Sequence, residues 1–266
     1  MTSPTDRLPA VSATLSVVIP VLDDAESLIV CLAALEAQEV RVDEIIVVDN
    51  GCTDDSVAIA LAAGARVVVE AIPGIPAAAA TGLDAATGSI RARMDADSRP
   101  PADWSRRVHA VFEAAPGLAV LTGPGQFYDA GPVLRRFAQT FYMSAYFSSV
   151  GMLLGQPPAF GSNFAIRSDV WRAIRDDIHD ARDDVHDDMD LSFQLRPGMV
   201  TRLDPQLRMG ISARPLRSGR GMIKRFSRAF ITIGINLRER GFLRRHLERR
   251  AWERGDLDAI VEPQNR

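Results

Sequence analysis

Three short runs rich in β-branched residues, Leu15–Val21, Glu44–Asp49 and Arg66–Glu70, and a fourth, more mixed run at Ile90–Met94, punctuate the first third of the chain. A stretch of helical pattern separates each run from the next. Runs that are apolar on both alternating faces read as strands buried from both sides. Strands that alternate with helices and short loops fold as a mostly parallel sheet with right-handed crossovers. Asp23 and Glu26 have the spacing of a capping box for a helix over 25–39. Thr53 or Asp54 can cap a second helix, which Gly64 stops. An alanine-rich third helix is expected over 76–86, a fourth over 104–115, and a further strand over 119–122.

The fourth run delivers Met94-Asp95-Ala96-Asp97 ahead of Pro100-Pro101. If the strand continues, its period of two points Asp95 and Asp97 to one side. Ligands of open α/β sheets bind beyond the carboxyl ends of the strands. Two carboxylates about 4 Å apart near a protein surface repel by roughly 4 kcal/mol. A divalent cation with oxygen ligands relieves that repulsion and binds a diphosphate at the same place. Taken alone the pair also fits a plain turn in which Asp97 caps the next helix.

Composition excludes several functions. The only lysine is Lys224, so there is no P-loop. No Gly-x-Ser-x-Gly elbow occurs, and His179 and His186, read as surface residues, lack the close partners of a zinc site. Cys31 and Cys52 offer no disulfide framework and fit a reducing compartment. Neither a secretory signal nor a membrane-spanning run is evident; 137–160 comes nearest and reads as a buried or interfacial helix. The expected location is cytoplasmic, with peripheral attachment at the inner face of the cell membrane as an option.

The second half is less regular. A helix over 132–150 carries an aromatic face of Phe137, Phe141, Tyr142 and Tyr146, read mainly as core. Gly161–Ile166 reads as a short strand, with Ser168 capping a following helix. An acid-dense patch, Asp183 to Asp190, then leads into Leu191–Leu195. The net charge of −3 conceals an asymmetry: 214–254 holds 13 basic and 3 acidic residues, so the rest of the chain is acidic. This stretch mixes apolar residues and arginines at helical spacing. It reads either as an amphipathic surface for anionic lipid or as a helix packed on the domain. Nucleic acid is not an expected partner of so acidic a body.

Four ordered stretches, Val17-Val-Ile-Pro20, Val47-Val-Asp-Asn-Gly51 with Thr53-Asp54, Asp95-Ala-Asp97 and Asp187-Asp188-Met-Asp190-Leu191-Ser192, resemble the inverting family 2 glycosyltransferases of GT-A fold. The resemblance implies a Rossmann-like α/β domain over 15–213, after a flexible N-terminus at 1–14. Its nucleotide-binding half is 15–128 and its acceptor half 129–213, with a basic helical extension at 214–266. It implies transfer of one hexose from a UDP- or GDP-type donor to a hydroxyl of a sugar or lipid-linked acceptor. Pro20 and Asp49 would contact the nucleotide, the latter by accepting from an N–H of the base. Asp95 and Asp97 would hold Mg2+ or Mn2+ on the diphosphate, and Asp188 would be the general base. Gly161, Asn163 and Asp187 would line the acceptor pocket.

The chain departs from the family pattern at Val21-Leu22-Asp23, at Ala80-Thr81 where an Arg-Asn pair is usual, and at Asp187 where Glu is usual. The Gln-x-x-Arg-Trp element of processive members is not evident, and Arg217-Ser-Gly-Arg220-Gly offers a looser basic loop. Two alternatives stay open at this level. One is a nucleotidyltransferase or metal-dependent phosphohydrolase using the same acids; the other is a non-catalytic relative that binds a membrane or partner.

Overall fold

The computed structural model describes residues 13–131, 143–214 and 219–256. Strands β1 (Leu15–Val21), β2 (Glu44–Asp49), β3 (Arg66–Val69) and β4 (Ile90–Arg93) form where the apolar runs predict them. They are joined through helices α1 (Ala25–Glu36), α2 (Ser56–Ala62) and α3 (Ile75–Ala85), and α4 (Trp104–Ala114) leads on to β5 (Leu118–Thr122).

Side chains of β1 alternate between two cores. Val17, Ile19 and Val21 face Leu28, Leu32 and Leu35 of α1, while Val18 faces Ala78 and Leu83 of α3. This double burial is what the uniform hydrophobicity of the run encodes.

Short strands complete the architecture: β7 (Phe164–Arg167), which overlaps the strand read at 161–166, and β6 (Gly125–Phe127), β8 (Val200–Leu203) and β9 (Met209–Ile211), which periodicity does not reveal. The main sheet has the order β3-β2-β1-β4-β7-β5-β8. All its pairings are parallel except those of β7, which runs antiparallel to both β4 and β5. The sheet is thus mostly parallel, as expected, and a strand from the second half is inserted into the first. Strands β6 and β9 pair apart from it.

Two capping expectations are corrected. Asp23 does not cap α1; its Oδ1 accepts from the backbone of Thr53 and Asp54 at the entrance to α2. Asp54 in turn accepts from the backbone N–H of Ala25 at the start of α1, so the two entrances are tied reciprocally. Asp97 caps nothing, since α4 begins seven residues later at Trp104.

The aromatic helix is described as α5 (Ser144–Leu154); the expected positions 132–142, including Phe137, Phe141 and Tyr142, lie outside the described residues. Helices α6 (Ser168–Ile174) and α7 (Asp187–Gln194) follow, the latter built from the acid patch. The basic extension forms two helices, α8 (Gly219–Arg240) and α9 (Phe242–Glu253). Gly241, at φ +67°, supplies the left-handed turn that divides them.

Helix α8 buries a polar face against α7. Its Asn236 donates to Asp190 Oδ1 (2.9 Å), and Gln194 donates to Asn236 Oδ1 (2.8 Å). The backbone of His186 donates to Thr232 Oγ1 (2.9 Å), and its ring meets the Arg225 carbonyl. His179 lies between Asp190 (2.8 Å) and Glu239 (3.2 Å). Neither histidine is the free surface residue expected. Burial works against the imidazolium of His179, but the two carboxylates outweigh it and hold its pKa above the ordinary value. A raised histidine pKa stabilises the fold fully below the unfolded value near 6.5 and loses that contribution as pH rises through the folded one. The melting-temperature gap between wild type and His179→Gln is therefore expected to be largest near pH 6 and to shrink towards pH 9. A gap that widens with pH contradicts this.

Candidate active site

The C-terminal ends of β1, β2 and β4 open onto one rim. At β2, Asp49 accepts from the backbone of Cys52 (2.8 Å) and Gly51 (3.1 Å) through Oδ1. These donors hold its carboxyl below the usual range, so it stays a charged acceptor. Both backbone donors fall on Oδ1, and the Cys52 side chain lies beside the carboxyl. Pro20 lies beside it, paired in register with Val48 on the neighbouring strand. Asp23, at φ +48°, holds the left-handed conformation that Asp tolerates better than most residues.

Beyond β4 the strand stops, and residues 95–98 form a turn. The Ser98 N–H donates to the Asp95 carbonyl (3.0 Å), and the Asp95 N–H to Ser98 Oγ (3.1 Å). The period-two expectation therefore does not place the pair; the turn does, and it sends the two carboxylates to different partners. Asp95 Oδ1 meets Arg93 Nη1 at 2.9 Å, and Oδ2 accepts from Ser162 Oγ at 2.5 Å. Asp97 Oδ2 meets Arg214 Nη2 at 2.9 Å.

Arg93 organises the acids. Its side chain is 3% exposed, yet it lies among carboxylates from two distant segments, with Asp187 Oδ2 3.3 Å from its Nε. Burial opposes its charge, but Asp187, Asp95, Asp188 and Asp97 together outweigh that and keep it protonated. For Asp187, burial raises the pKa and Arg93 pulls it back, while Asp188 and Asp95 push it further up. Burial and the charge of Asp95 likewise raise Asp97, against the pull of Arg214.

Asp188 lies in the first turn of α7, where the helix dipole favours a carboxylate. Its Oδ2 accepts from the backbone of Gly161 at 2.7 Å and lies 3.4 Å from the Tyr146 hydroxyl. Adjacent residues Gly161 and Ser162 thus grip Asp188 and Asp95 respectively. This brings together carboxylates that lie some ninety positions apart in the chain. Tyr146 packs edge-to-face against Phe147 and Phe160, and the three rings form an aromatic wall beside Asp188.

The expected acceptor residues separate on inspection. Gly161 is at the site, where a Cβ would lie 2.5 Å from Arg93 Nη1 and 3.0 Å from Asp188 Oδ2. Gly161→Ala is expected to leave the fold intact and lower turnover about 10²-fold, because an ångström's displacement of a reacting group costs that much. Activity within threefold of wild type would show that Asp188 does not need this position. Asn163 is fully buried and does not reach a pocket. Its Oδ1 accepts from Trp104 Nε1 (2.9 Å) and its Nδ2 donates to the Leu207 carbonyl (2.6 Å). Asp187 is turned towards Arg93, where it balances charge.

The sequence reading missed Arg93, Ser162 and Arg214, and took Tyr146 as core. Arg93 left one signal, shared with Arg91: a charge inside a short strand that must be buried on both faces. Asp23, Cys52 and Asp54 bring ligand atoms within 4.8 Å of one another. The aspartate oxygens there already accept backbone N–H groups.

A model of the family described as glycosyl transferase family 2 matches residues 16–180. An uncharacterised glycosyltransferase of Mycobacterium tuberculosis is 45% identical over 108 residues, covering 41% of this chain and 47% of that protein. Glucosyl-3-phosphoglycerate synthase of Mycolicibacterium paratuberculosis is 38% identical over 123 residues, covering 42% and 35%. The chain thus spans about half, or less, of the curated relatives it matches. The solved complex of glucosyl-3-phosphoglycerate synthase from Mycobacterium tuberculosis with Mn2+, uridine diphosphate and phosphoglyceric acid has a TM-score of 0.60 at 21% identity. That likeness covers 84% of this chain and 78% of the other, and it shows a shared fold.

Proposed function

The chain belongs to glycosyl transferase family 2, and on that footing we propose that it moves one hexose from a nucleoside-diphosphate sugar to an acceptor hydroxyl with inversion at the anomeric carbon. One observation carries this reading: Asp188 and Asp95, far apart in sequence, are held by the adjacent residues Gly161 and Ser162, while Arg93 pairs with both Asp95 and Asp187. Asp188 is the general base. It receives the proton of the acceptor hydroxyl as that oxygen attacks from the face opposite the leaving diphosphate. Asp95 and Asp187 keep Arg93 in place, and Arg93 limits the mutual repulsion of the acids. Asp49 and Pro20 take the nucleotide base and ribose end, with Asp49 accepting from a base N–H.

The residues fit a divalent cation. Asp97 offers a hard oxygen, since its Oδ1 has no hydrogen bond among the described residues, and the Asp95 carboxylate lies close by in the same turn. Asp97 would hold Mg2+ or Mn2+, with Asp95 behind it through a carboxylate already engaged by Arg93 and Ser162. The ion, when bound, would neutralise charge developing on the leaving diphosphate. Uridine diphosphate sugars with Mn2+ are the first donors to test, given the solved complex of the same fold. The experiment is a donor screen with product analysis. Release of free nucleoside diphosphate supports sugar transfer, whereas release of pyrophosphate or inorganic phosphate replaces it with nucleotidyl transfer or phosphohydrolysis. No turnover of any donor would favour the non-catalytic alternative.

An acceptor carried on lipid at the inner face of the membrane is part of this proposal. No described helix is long and apolar enough to cross a bilayer. Helix α8, however, leaves Ile223 (70% exposed), Phe226 and Phe230 (73% exposed) along one stripe, with Lys224 and Arg228 beside it. A basic helix with such a stripe suits the surface of an anionic bilayer. Flotation with anionic vesicles is expected for wild type and lost when all three apolar residues become serine. Equal flotation of both, or of neither, ends the membrane part alone.

A further inference from the structure

Arg214 follows β9, and its guanidinium bridges two carboxylates on opposite sides of the rim. Nη1 and Nη2 lie 3.1 and 2.6 Å from the oxygens of Asp24, and Nη2 lies 2.9 Å from Asp97 Oδ2. Asp24 precedes α1 just after β1, and Asp97 lies just after the neighbouring strand β4. The guanidinium therefore spans the mouth between adjacent parallel strands, where a diphosphate would lie.

Its backbone is fixed for that purpose. Asp129 accepts from the Ala213 N–H (2.6 Å) and from Ser212 Oγ (2.8 Å), and Ser212 Oγ accepts from the Arg214 N–H (3.1 Å). The two carboxylates hold the arginine firmly protonated.

We propose that Arg214 is the resident counter-ion of Asp97 in the donor-free protein and the diphosphate clamp of the loaded one, so that metal and donor bind as a coupled pair. The inference rests on the reading of Asp97 as the metal-holding residue. A metal ion arriving alone competes with a guanidinium for the same oxygen, and that guanidinium is also held by Asp24. A metal ion arriving with a diphosphate gives the displaced guanidinium phosphate oxygens to bind, which its planar fork meets in pairs. The consequence is reciprocal: the nucleotide tightens the metal by the factor by which the metal tightens the nucleotide. A half-exposed ion pair with only a structural role would give no such coupling.

The test measures Mn2+ binding by electron paramagnetic resonance of the free ion, with and without uridine diphosphate, in wild type, Arg214→Gln, Arg214→Lys and Asp97→Asn. Arg214→Gln is expected to bind Mn2+ alone about tenfold more tightly than wild type, and to lose most of the gain that the nucleotide brings. Arg214→Lys keeps the charge but not the fork and is expected between the two. If it proves the better-folded variant, its intermediate value still decides. Equal Mn2+ affinity in wild type and both Arg214 variants, or an undiminished gain from the nucleotide, overturns the proposal. Mn2+ affinity that survives Asp97→Asn shows instead that the metal reading of Asp97 is wrong, whatever Arg214 does.

Discussion

Asp188→Asn is expected to lower kcat by about 10²- to 10⁴-fold, the usual contribution of a positioned general base, with little change in the KM for the donor. Asparagine keeps the shape of the side chain and an oxygen for the Gly161 N–H, so the loop and the first turn of α7 stay in place. What it removes is the site for the acceptor's proton. The split between kcat and KM matters, because a residue that only shaped the pocket would weaken binding as much as turnover. Steady-state kinetics with the melting temperature alongside check this. A variant that keeps a third of wild-type turnover shows that another group takes the proton.

The largest stability effect is expected at Arg93. Replacing it with methionine removes the buried cation that pairs with Asp95 and Asp187, and leaves the largely buried Asp187 without its partner. Breaking a buried pair from one side costs about 3–5 kcal/mol. At roughly 2–4 °C per kcal/mol for a protein of this size, the melting temperature should fall by about 10 °C. The double variant Arg93→Met with Asp187→Asn should recover part of that loss, since it also removes a charge that Arg93 had balanced. Additive losses in the double variant would show that Arg93 acts through packing alone. Asp97 and Asp188 are left untouched, so residual activity in the double variant reads how far the network, rather than the base itself, sustains turnover.

The first half of the fold was legible because its signals are local. Four apolar runs and the turns between them identify β1 to β4 within a residue or two, since period and punctuation are properties of adjacent residues. Strands β6 and β9 were not legible: at three residues each they are too short to show a period. The insertion of β7 between β4 and β5 depends on pairings across some seventy and forty positions, to which no local pattern is sensitive.

The site divides in the same way. Asp95 and Asp97 stand out as acids at the end of a strand, whereas Asp49 and Asp188 are candidates through the resemblance of their motifs to the family. Asn163 was misread because its neighbours in sequence do not reveal that Trp104 and Leu207 take up its amide. Arg214 was counted only as the first charge of a basic tail, and the residues it bridges lie more than a hundred positions away. The polar face of α8 was hidden for a related reason. Nothing beside Thr232 and Asn236 in the sequence names His186 and Asp190 as their partners.

The central claim is a single displacement in which Asp188 directs an oxygen nucleophile at the anomeric carbon from across the Asp95/Asp97 rim. Water can stand in for the acceptor, so the slow hydrolysis of an accepted donor, followed by proton NMR from its first minutes, reads the outcome directly. The account predicts that the first free sugar to appear has the anomeric configuration opposite to that of the donor, and that Asp188→Asn abolishes its release. A first product with retained configuration, formed at equal rate by the variant, would contradict it.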